Sequence, residues 1–152
     1  METVVHGVRL LLKQGDLTLE TTDAIVNAAN ASLMGGAGVD GAIHARGGRA
    51  ILDACMEIRA RSGPLATGKA VITTGGDLSA CRVIHTVGPI WTGGGERESR
   101  LLRDCYTNSL ALCLKQGIRS VAFPSISTGA YGYPVQEAAP VALSAVVDFL
   151  TH

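Results

Sequence analysis

The chain is poor in aromatic residues and has no excess of either charge. Phe, Trp and Tyr make up 4% of its 152 residues, so it offers no row of rings on which single-stranded bases would stack. Lys and Arg together number 13, as do Asp and Glu, and the formal net charge is zero. Because extended nucleic acid is held largely by cationic surface, this balance argues against such a ligand. It leaves room for a single nucleotide held by backbone N–H groups.

Signals of several other protein classes are missing. No apolar run approaches the ~20 residues that cross a bilayer, and the N-terminus lacks a basic segment followed by a signal-peptide core. The cysteines have no C-x-x-C spacing typical of zinc or redox centres, and each lies in an apolar pattern: Cys55, Cys81, Cys105 and Cys113. We therefore expect no metal site, no cofactor, no membrane partner and a reducing, cytoplasmic setting.

The apolar patterns predict one layered α/β domain spanning residues 1–152. Hydrophobic residues make up 47% of the chain, enough for a buried core. Short apolar runs predict strands at residues 4–12, 23–29, 69–74, 82–87 and 120–123. Helical spacing predicts helices at residues 49–61, 97–116 and 134–150, and a further helical segment near Asp40 that breaks at about Gly47. Strands that alternate with helices indicate the α/β class.

Two glycine-rich segments, each at the end of an apolar run, are the most informative feature of the chain. The first glycine segment is residues 27–41 (NAANASLMGGAGVDG), and the second glycine segment is residues 125–134 (SISTGAYGYP). Glycine lets backbone approach a ligand closely and turn N–H groups toward an anion. Each segment also precedes a predicted helix, whose N-terminus favours phosphate. The pair predicts one shared phosphate site, with Asn30 and Asp40 beside it.

Residues 36–41 also match G-x-G-x-x-G, the pattern of dinucleotide-binding folds. Such folds need the first glycine directly after a strand and an acidic residue about 20 positions later. Here the predicted strand ends near Ala29, and residues 59–61 (RAR) lie within a predicted helix and include no acid. A Walker pattern, G-x-x-x-x-G-K-[ST], is missing too, so both alternatives are disfavoured.

Five motifs in order resemble the macrodomain family, and within it the MacroD-type branch that includes bacterial O-acetyl-ADP-ribose deacetylases. They are GDLT (15–18), VNAAN (26–30), GVDGAIH (38–44), HTVGP (85–89) and STGAYGYP (127–134). The resemblance implies a three-layer α/β/α fold with a central mixed sheet and a surface cleft for ADP-ribose. Relatives usually add one strand and one helix after the segment that ends near Leu150, and we expect both to be lacking here.

The resemblance also implies roles for individual residues. Asp16 would accept a hydrogen bond from the adenine amino group, with the Leu17 backbone beside it. Asn30 would orient the distal ribose, and Asp40 would be the catalytic carboxylate. The residues implied to line the diphosphate and ribose are Gly38, Val39 and Gly41 on one side and Ser127, Thr128, Gly129, Ala130 and Tyr131 on the other. No metal is implied.

The chemistry implied is hydrolysis of an ester on the distal ribose, in O-acetyl-ADP-ribose or on Asp or Glu side chains of mono-ADP-ribosylated proteins. Asp40 would either deprotonate a water or orient the ribose so that a phosphate-bound water attacks. A non-catalytic ADP-ribose-binding module is the alternative, and an interaction domain with a vestigial site is a third possibility. The presence of both Asn30 and Asp40 favours the enzyme.

Each of these residues also has a structural interpretation. Asp40 suits a helix N-cap, and Asn30 and Asp16 suit turns. His44 falls four residues after Asp40 on the predicted helix, so the two would share a face, but no nucleophile accompanies such a pair. Asn27 is expected to tie backbone together.

The remaining expectations concern packing and strain. His85 is expected to be a hydrogen-bonded core residue, and Tyr133 a packing residue. Trp91 is expected to cover a sheet edge. Ala37 stands where this branch usually has glycine, which would strain the loop if the position needs a positive φ.

Overall fold

The computed structural model describes all of residues 1–152. Its strands are β1 (Glu2–Val5), β2 (Val8–Leu11), β3 (Ala24–Ala29), β4 (Ala70–Thr74), β5 (Arg82–Val87) and β6 (Val121–Ala122). Its α-helices are α1 (Gly38–Gly47), α2 (Arg49–Ser62), α3 (Glu96–Lys115) and α4 (Val135–Thr151), and a 3₁₀ turn covers Leu17–Leu19. None of the helices combines the length and the apolar character that a bilayer span requires.

Four strands form one mixed sheet in the order β4-β5-β3-β6. β3 runs parallel to its neighbours β5 and β6, whereas β4 is antiparallel to β5. In this register Asn27 of β3 lies opposite His85 of β5. The predicted central mixed sheet is therefore confirmed.

Helices cover both faces of this sheet. On one face, Val26 and Ile84 belong to a core formed with α3 and α4. On the other face, their strand neighbours Ile25 and Val83 belong to a second core formed with α1 and α2. Because side chains alternate between faces, both sets in β3 and β5 are buried, and the strands therefore read as nearly continuous apolar runs. This is the three-layer α/β/α arrangement expected from the resemblance.

Glycines divide and end the helices on the second face. Gly48 has a φ of 80° and separates α1 from α2, and Gly63 has a φ of 75° and ends α2. A Cβ at Gly47 would lie 2.0 Å from Ile51 Cδ1, so this position needs glycine for close packing. The break predicted near Gly47 is confirmed, one residue further on.

Two predicted strands differ from the observed ones. The single strand predicted over residues 4–12 is a hairpin, in which β1 and β2 pair antiparallel as a separate sheet. His6 and Gly7 form its turn with φ of 47° and 79°, values that a continuous strand does not contain. β6 covers only two of the four predicted residues, because Pro124 follows directly after Phe123 and has no N–H for a ladder.

Candidate functional site

The two glycine segments leave the sheet at the same edge. β3, β5 and β6 are parallel, so residues 30–37, 88–95 and 123–134 all follow the carboxyl ends of neighbouring strands. In open α/β sheets, ligands bind in the crevice outside these ends. The topology thus places the predicted phosphate-binding segments at the edge where a ligand would be held.

Contacts across this edge bring the segments together. A Cβ at Gly88 would lie 2.2 Å from Ser127 Oγ, so the backbone after β5 packs directly on the second glycine segment. The Trp91 N–H donates to the Tyr131 carbonyl at 2.8 Å. Ala31 and Tyr131 both line one open cavity of about 440 Å³. Each glycine segment therefore contributes one residue to this cavity, whose lining includes neither Asn30 nor Asp40.

The second glycine segment is folded by its own hydrogen bonds and leaves donors free. The Gly132 N–H donates to the Gly129 carbonyl at 3.0 Å, and the Tyr133 N–H donates to the Ser127 carbonyl at 2.9 Å. Ser127 has a φ of 68° at the bend. The N–H groups of Gly129, Ala130 and Tyr131 donate to no protein acceptor. A turn that presents successive free N–H groups is suited to an anion.

The first glycine segment ends in the N-terminus of α1, where another set of N–H groups is free. Ala37 is the N-cap and makes no side-chain capping bond, so the first-turn N–H groups lack an intrahelical partner. Its φ of −98° and ψ of 178° are extended, and alanine is unstrained there. The positive φ values fall on Gly35 at 91° and Gly38 at 61°. The expected cost of Ala37 therefore does not arise.

Asp40 is a buried carboxylate within the first turn of α1, so the interpretation as N-cap is wrong. Its Oδ1 accepts a hydrogen bond from Asn27 Nδ2 at 2.8 Å. His44 shares the helix face, as predicted, with Nε2 3.4 Å from Asp40 Oδ1 but without hydrogen-bond geometry. A carboxylate near the helix N-terminus also interacts favourably with the helix dipole.

Gly36 marks the point where the two predicted catalytic side chains converge. A Cβ built at Gly36 would lie 3.3 Å from Asp40 Oδ2 and 3.3 Å from Asn30 Nδ2. Gly41 has a packing role, since a Cβ there would lie 2.4 Å from the Gly36 carbonyl oxygen. The segment thus presents a carboxylate oxygen and an amide nitrogen on either side of a residue without a side chain.

Asn30 stabilises the turn that it begins. Its Nδ2 donates to the Gly35 carbonyl at 3.0 Å, and its Oδ1 accepts from Ser32 Oγ at 2.6 Å. The turn interpretation is therefore correct. It does not exclude contact with a ligand, because the amide carries two hydrogens and its oxygen two lone pairs.

Asp16 and Leu17 lie outside these segments in the sequence, at the 3₁₀ turn that contacts α1. Asp16 Oδ1 accepts from Thr18 Oγ1 at 2.6 Å and from the Thr18 N–H at 2.9 Å. These bonds to the Thr18 hydroxyl and N–H lower the pKa of the exposed Asp16 carboxyl. Asp16 is thus the turn acid of the structural interpretation, and Leu17 packs on the core under α1 and α2. Their contact with adenine stays a prediction.

Sequence reasoning missed the role of Asn27. It is fully buried in β3 and bonds to side chains, Asp40 on one side and His85 Nδ1 at 3.1 Å on the other, rather than to backbone. His85 is the buried, hydrogen-bonded core residue that was predicted, with Nε2 2.9 Å from Thr73 Oγ1. Burial, and secondarily His44, lowers the pKa of His85 to about 3. The signal for Asn27 was a polar residue inside a buried apolar run.

Three possible metal donors lie close together beside Asp40. Donor atoms of His44, Cys55 and His85 are within 4.8 Å of one another. Both His85 nitrogens are engaged by Asn27 and Thr73, and burial raises the pKa of the Cys55 thiol to about 11. A metal would need the thiolate and the imidazole nitrogens; His44 Nε2 has no hydrogen-bond partner, but both nitrogens of His85 are engaged. The cluster therefore fits a hydrogen-bonded core better than a metal centre.

Two aromatic residues pack near the second glycine segment, Tyr133 as expected and Trp91 with more contacts than expected. Trp91 and Tyr133 have ring centroids 4.7 Å apart, and Tyr133 is buried. A Cβ at Gly94 would lie 2.6 Å from Trp91 Cη2. Trp91 is thus wedged between its own loop and the second glycine segment, rather than only covering a sheet edge.

Comparison with known proteins agrees with this architecture. Residues 26–142 match the family model described as Macro domain. An O-acetyl-ADP-ribose deacetylase of Citrobacter koseri is 58% identical over 144 residues, which are 95% of this chain and 81% of that protein. One of Escherichia coli K12 is 54% identical over 152 residues, 100% of this chain and 83% of that protein.

Solved structures agree as well. The Oceanobacillus iheyensis macrodomain with ADP superposes with a TM-score of 0.95 at 47% identity, covering 99% of this chain and 81% of that one. The Trypanosoma brucei macrodomain in complex with ADP-ribose has a TM-score of 0.81 at 45% identity, covering 90% of this chain and 55% of that one. With the cleft edge, the glycine segments and these matches in agreement, the chain belongs to the macrodomain family.

Proposed function

We propose that this chain binds ADP-ribose and hydrolyses the ester of O-acetyl-ADP-ribose. The observation that carries the proposal is the convergence of Asp40 Oδ2 and Asn30 Nδ2 on Gly36, at the edge where both glycine segments border one cavity. Relatives that are more than half identical bear the name O-acetyl-ADP-ribose deacetylase. A module that only bound the nucleotide would need no buried carboxylate at this point.

The diphosphate lies between the two sets of free N–H groups. Gly38 and Val39 at the start of α1 approach it from one side, and the Ser127–Tyr131 turn, which includes Thr128, closes over it from the other. A neutral chain holds two negative charges in this way because helix N-termini and turn N–H groups carry partial positive charge. Asp16 and Leu17 receive the adenine end, and Asn30 and Asp40 receive the distal ribose.

Hydrolysis proceeds without a resident metal. The oxygen of a water attacks the acetyl carbonyl carbon, the bond from that carbon to the ribose oxygen breaks, and the ribose hydroxyl and acetic acid are formed. Asp40 accepts the proton of the attacking water, or orients the ribose so that a phosphate-bound water attacks. General-base assistance is typically worth about 10²–10⁴-fold in rate.

The same chemistry extends to other esters of the distal ribose. We propose that mono-ADP-ribosylated Asp or Glu side chains of proteins are also substrates, since the bond cleaved is the same. The site draws on segments from Asp16 to Tyr131, so residues 1–152 act as one macrodomain. A cytoplasmic location fits the four cysteines, all of which are free thiols.

The test compares ligand binding with turnover. We expect Asp40→Asn to lower acetate release from O-acetyl-ADP-ribose by about 10²-fold or more, while calorimetry finds ADP-ribose affinity within a few-fold of the unmodified protein. Asp53→Asn is the matched control, because this carboxylate is exposed on α2 and pairs only with Arg49. It should change neither quantity.

Three other outcomes would contradict parts of the proposal. Binding without turnover in the unmodified protein would make it an ADP-ribose-binding module. Loss of both would favour an interaction domain with a vestigial site. Full turnover in Asp40→Asn would remove the carboxylate from the mechanism.

A further inference from the structure

We propose, on the basis of the function proposed above, that Asn27 and His85 are positioning residues that fix the orientation of the Asp40 carboxylate. Both are fully buried, and they are partners across the β3–β5 register. They would act on the substrate only through Asp40.

The amide of Asn27 uses both of its hydrogens. Nδ2 donates to Asp40 Oδ1 at 2.8 Å, and it lies 3.1 Å from His85 Nδ1. Because an amide nitrogen only donates, His85 Nδ1 must be the unprotonated acceptor nitrogen of the ring. Asn27 therefore bridges two side chains, since its amide donates one hydrogen to the His85 imidazole and the other to the Asp40 carboxylate.

The orientation of His85 is fixed in turn by its other nitrogen. A neutral imidazole with unprotonated Nδ1 carries its hydrogen on Nε2, which then donates to Thr73 Oγ1 at 2.9 Å. The Thr73 hydroxyl passes the same direction on, donating to the Thr74 carbonyl at 3.0 Å. The lowered pKa of His85, about 3, keeps the ring neutral near pH 7. Donation thus runs outward from Asn27, to Asp40 in α1 on one side and through His85 to Thr73 in β4 on the other.

The unsatisfied atom in this chain supports a positioning role. Asn27 Oδ1 is buried and has no hydrogen-bond partner, which is costly and uncommon in folded proteins. Flipping the amide would not relieve it, because Oδ1 would then face the Asp40 carboxylate and the lone pair of His85 Nδ1. An apolar residue at this position would remove this cost, but it would leave Asp40 Oδ1 and His85 Nδ1 without their donor. Asparagine therefore gives the fold a contact with Asp40 at the expense of one acceptor.

The contact fixes the plane of the Asp40 carboxylate, whose two oxygens are otherwise equivalent. With Oδ1 held by Asn27, Oδ2 lies 3.3 Å from the position of a Cβ built at Gly36. If the hold were lost, the carboxylate would rotate about its last torsion, which is broad and roughly two-fold. Misplacement of a catalytic group by about 1 Å can cost about 10²-fold in rate. Asn27 and His85 should therefore affect kcat much more than binding.

The first experiment measures kcat and KM for O-acetyl-ADP-ribose in four variants. Asn27→Leu is compared with Asn108→Leu, and His85→Leu with His85→Gln. We expect Asn27→Leu and His85→Leu to lower kcat by about 10-fold or more, with KM and ADP-ribose affinity within about threefold. His85→Gln should recover most of the lost kcat, since its amide both accepts and donates as the neutral imidazole does. Asn108→Leu is the matched control, because Asn108 Nδ2 also makes a partly buried bond, to the Gly68 carbonyl, away from the site. It should leave kcat unchanged.

A second readout does not depend on turnover. In nitrogen-15 NMR spectra, the side-chain amide signals of Asn27 should move in both Asp40→Ala and His85→Leu, because each removes one acceptor. Asn27 signals that stay in place in either variant would overturn the proposed contacts, whatever the rates.

Several kinetic results would contradict the positioning role. Unchanged kcat in Asn27→Leu and His85→Leu, or a parallel loss of kcat and ADP-ribose affinity, would show that the two residues serve only the fold. His85→Gln as slow as His85→Leu would rule out the hydrogen bond as the cause. An unmodified protein that binds ADP-ribose but releases no acetate would instead overturn the proposed function, and the positioning role with it.

Discussion

Mild acid should weaken the fold through one residue, His85. Burial lowers its pKa in the folded state to about 3 from the ordinary value of 6.5, so the native imidazole stays neutral while that of the unfolded chain takes up a proton. The unfolded state then binds more protons than the native state, and stability falls as the pH drops through this window. Integrated from pH 7 to pH 4, the loss amounts to about 3 kcal/mol, a large part of the stability of a domain.

Urea unfolding at a series of pH values isolates this contribution. His85→Gln replaces the imidazole with a neutral amide that can keep both hydrogen bonds, so its stability should depend less steeply on pH than that of the unmodified protein between pH 4 and 6.5. His152→Gln, at the exposed C-terminus, controls for the loss of one histidine. Equal slopes in His85→Gln and the unmodified protein would refute the reasoning, because they would mean that His85 takes up its proton in the folded state as well.

Two further variants test how the cleft edge is built. Gly88→Ala would place a Cβ 2.2 Å from Ser127 Oγ and 2.7 Å from Ile126 Cγ2. We expect it to displace the second glycine segment and to lower ADP-ribose affinity, measured by calorimetry, about 10-fold or more. An unchanged affinity would contradict this packing. Glu98→Gln replaces the buried carboxylate that accepts from the Thr92 N–H at 2.6 Å and the Gly94 N–H at 2.9 Å. Hydrogen exchange of the Thr92 and Gly94 amides should accelerate. Unchanged exchange would show that other contacts hold the loop.

The sequence predicts the layers of the fold well because each layer has a local signal. The apolar run at residues 24–26 and the stripe in α3 follow from burial on one or both faces. The hairpin of β1 and β2 does not, because a two-residue turn at His6 and Gly7 hardly interrupts the apolar run from Val4 to Leu12 in the sequence. Its left-handed φ values are a property of the backbone that the residue types only weakly indicate.

The candidate site is likewise predictable from the sequence only in part. Asn30 and Asp40 are predicted as site residues from the sequence because their motifs resemble those of a family and because both belong to a glycine-rich segment. The role of Asn27 is not, since it depends on a register that pairs it with His85, 58 residues away, and on a helix that places Asp40 above it. A buried polar residue in an apolar strand indicates that a partner exists, but only the three-dimensional structure identifies the partner.

The two asparagines of the motif VNAAN therefore differ in how the structure holds them. Asn27 lies within β3, where its pairing with His85 of β5 fixes its position, whereas Asn30 lies beyond the strand end, where its own turn holds it. Groups held by a sheet are placed more accurately than groups on loops. In the proposed mechanism the Asp40 carboxylate needs that accuracy, whereas the contact proposed between Asn30 and the ribose tolerates adjustment as the ligand enters. Asp40 accordingly takes its support from the strand, although the helix that carries it begins in the loop.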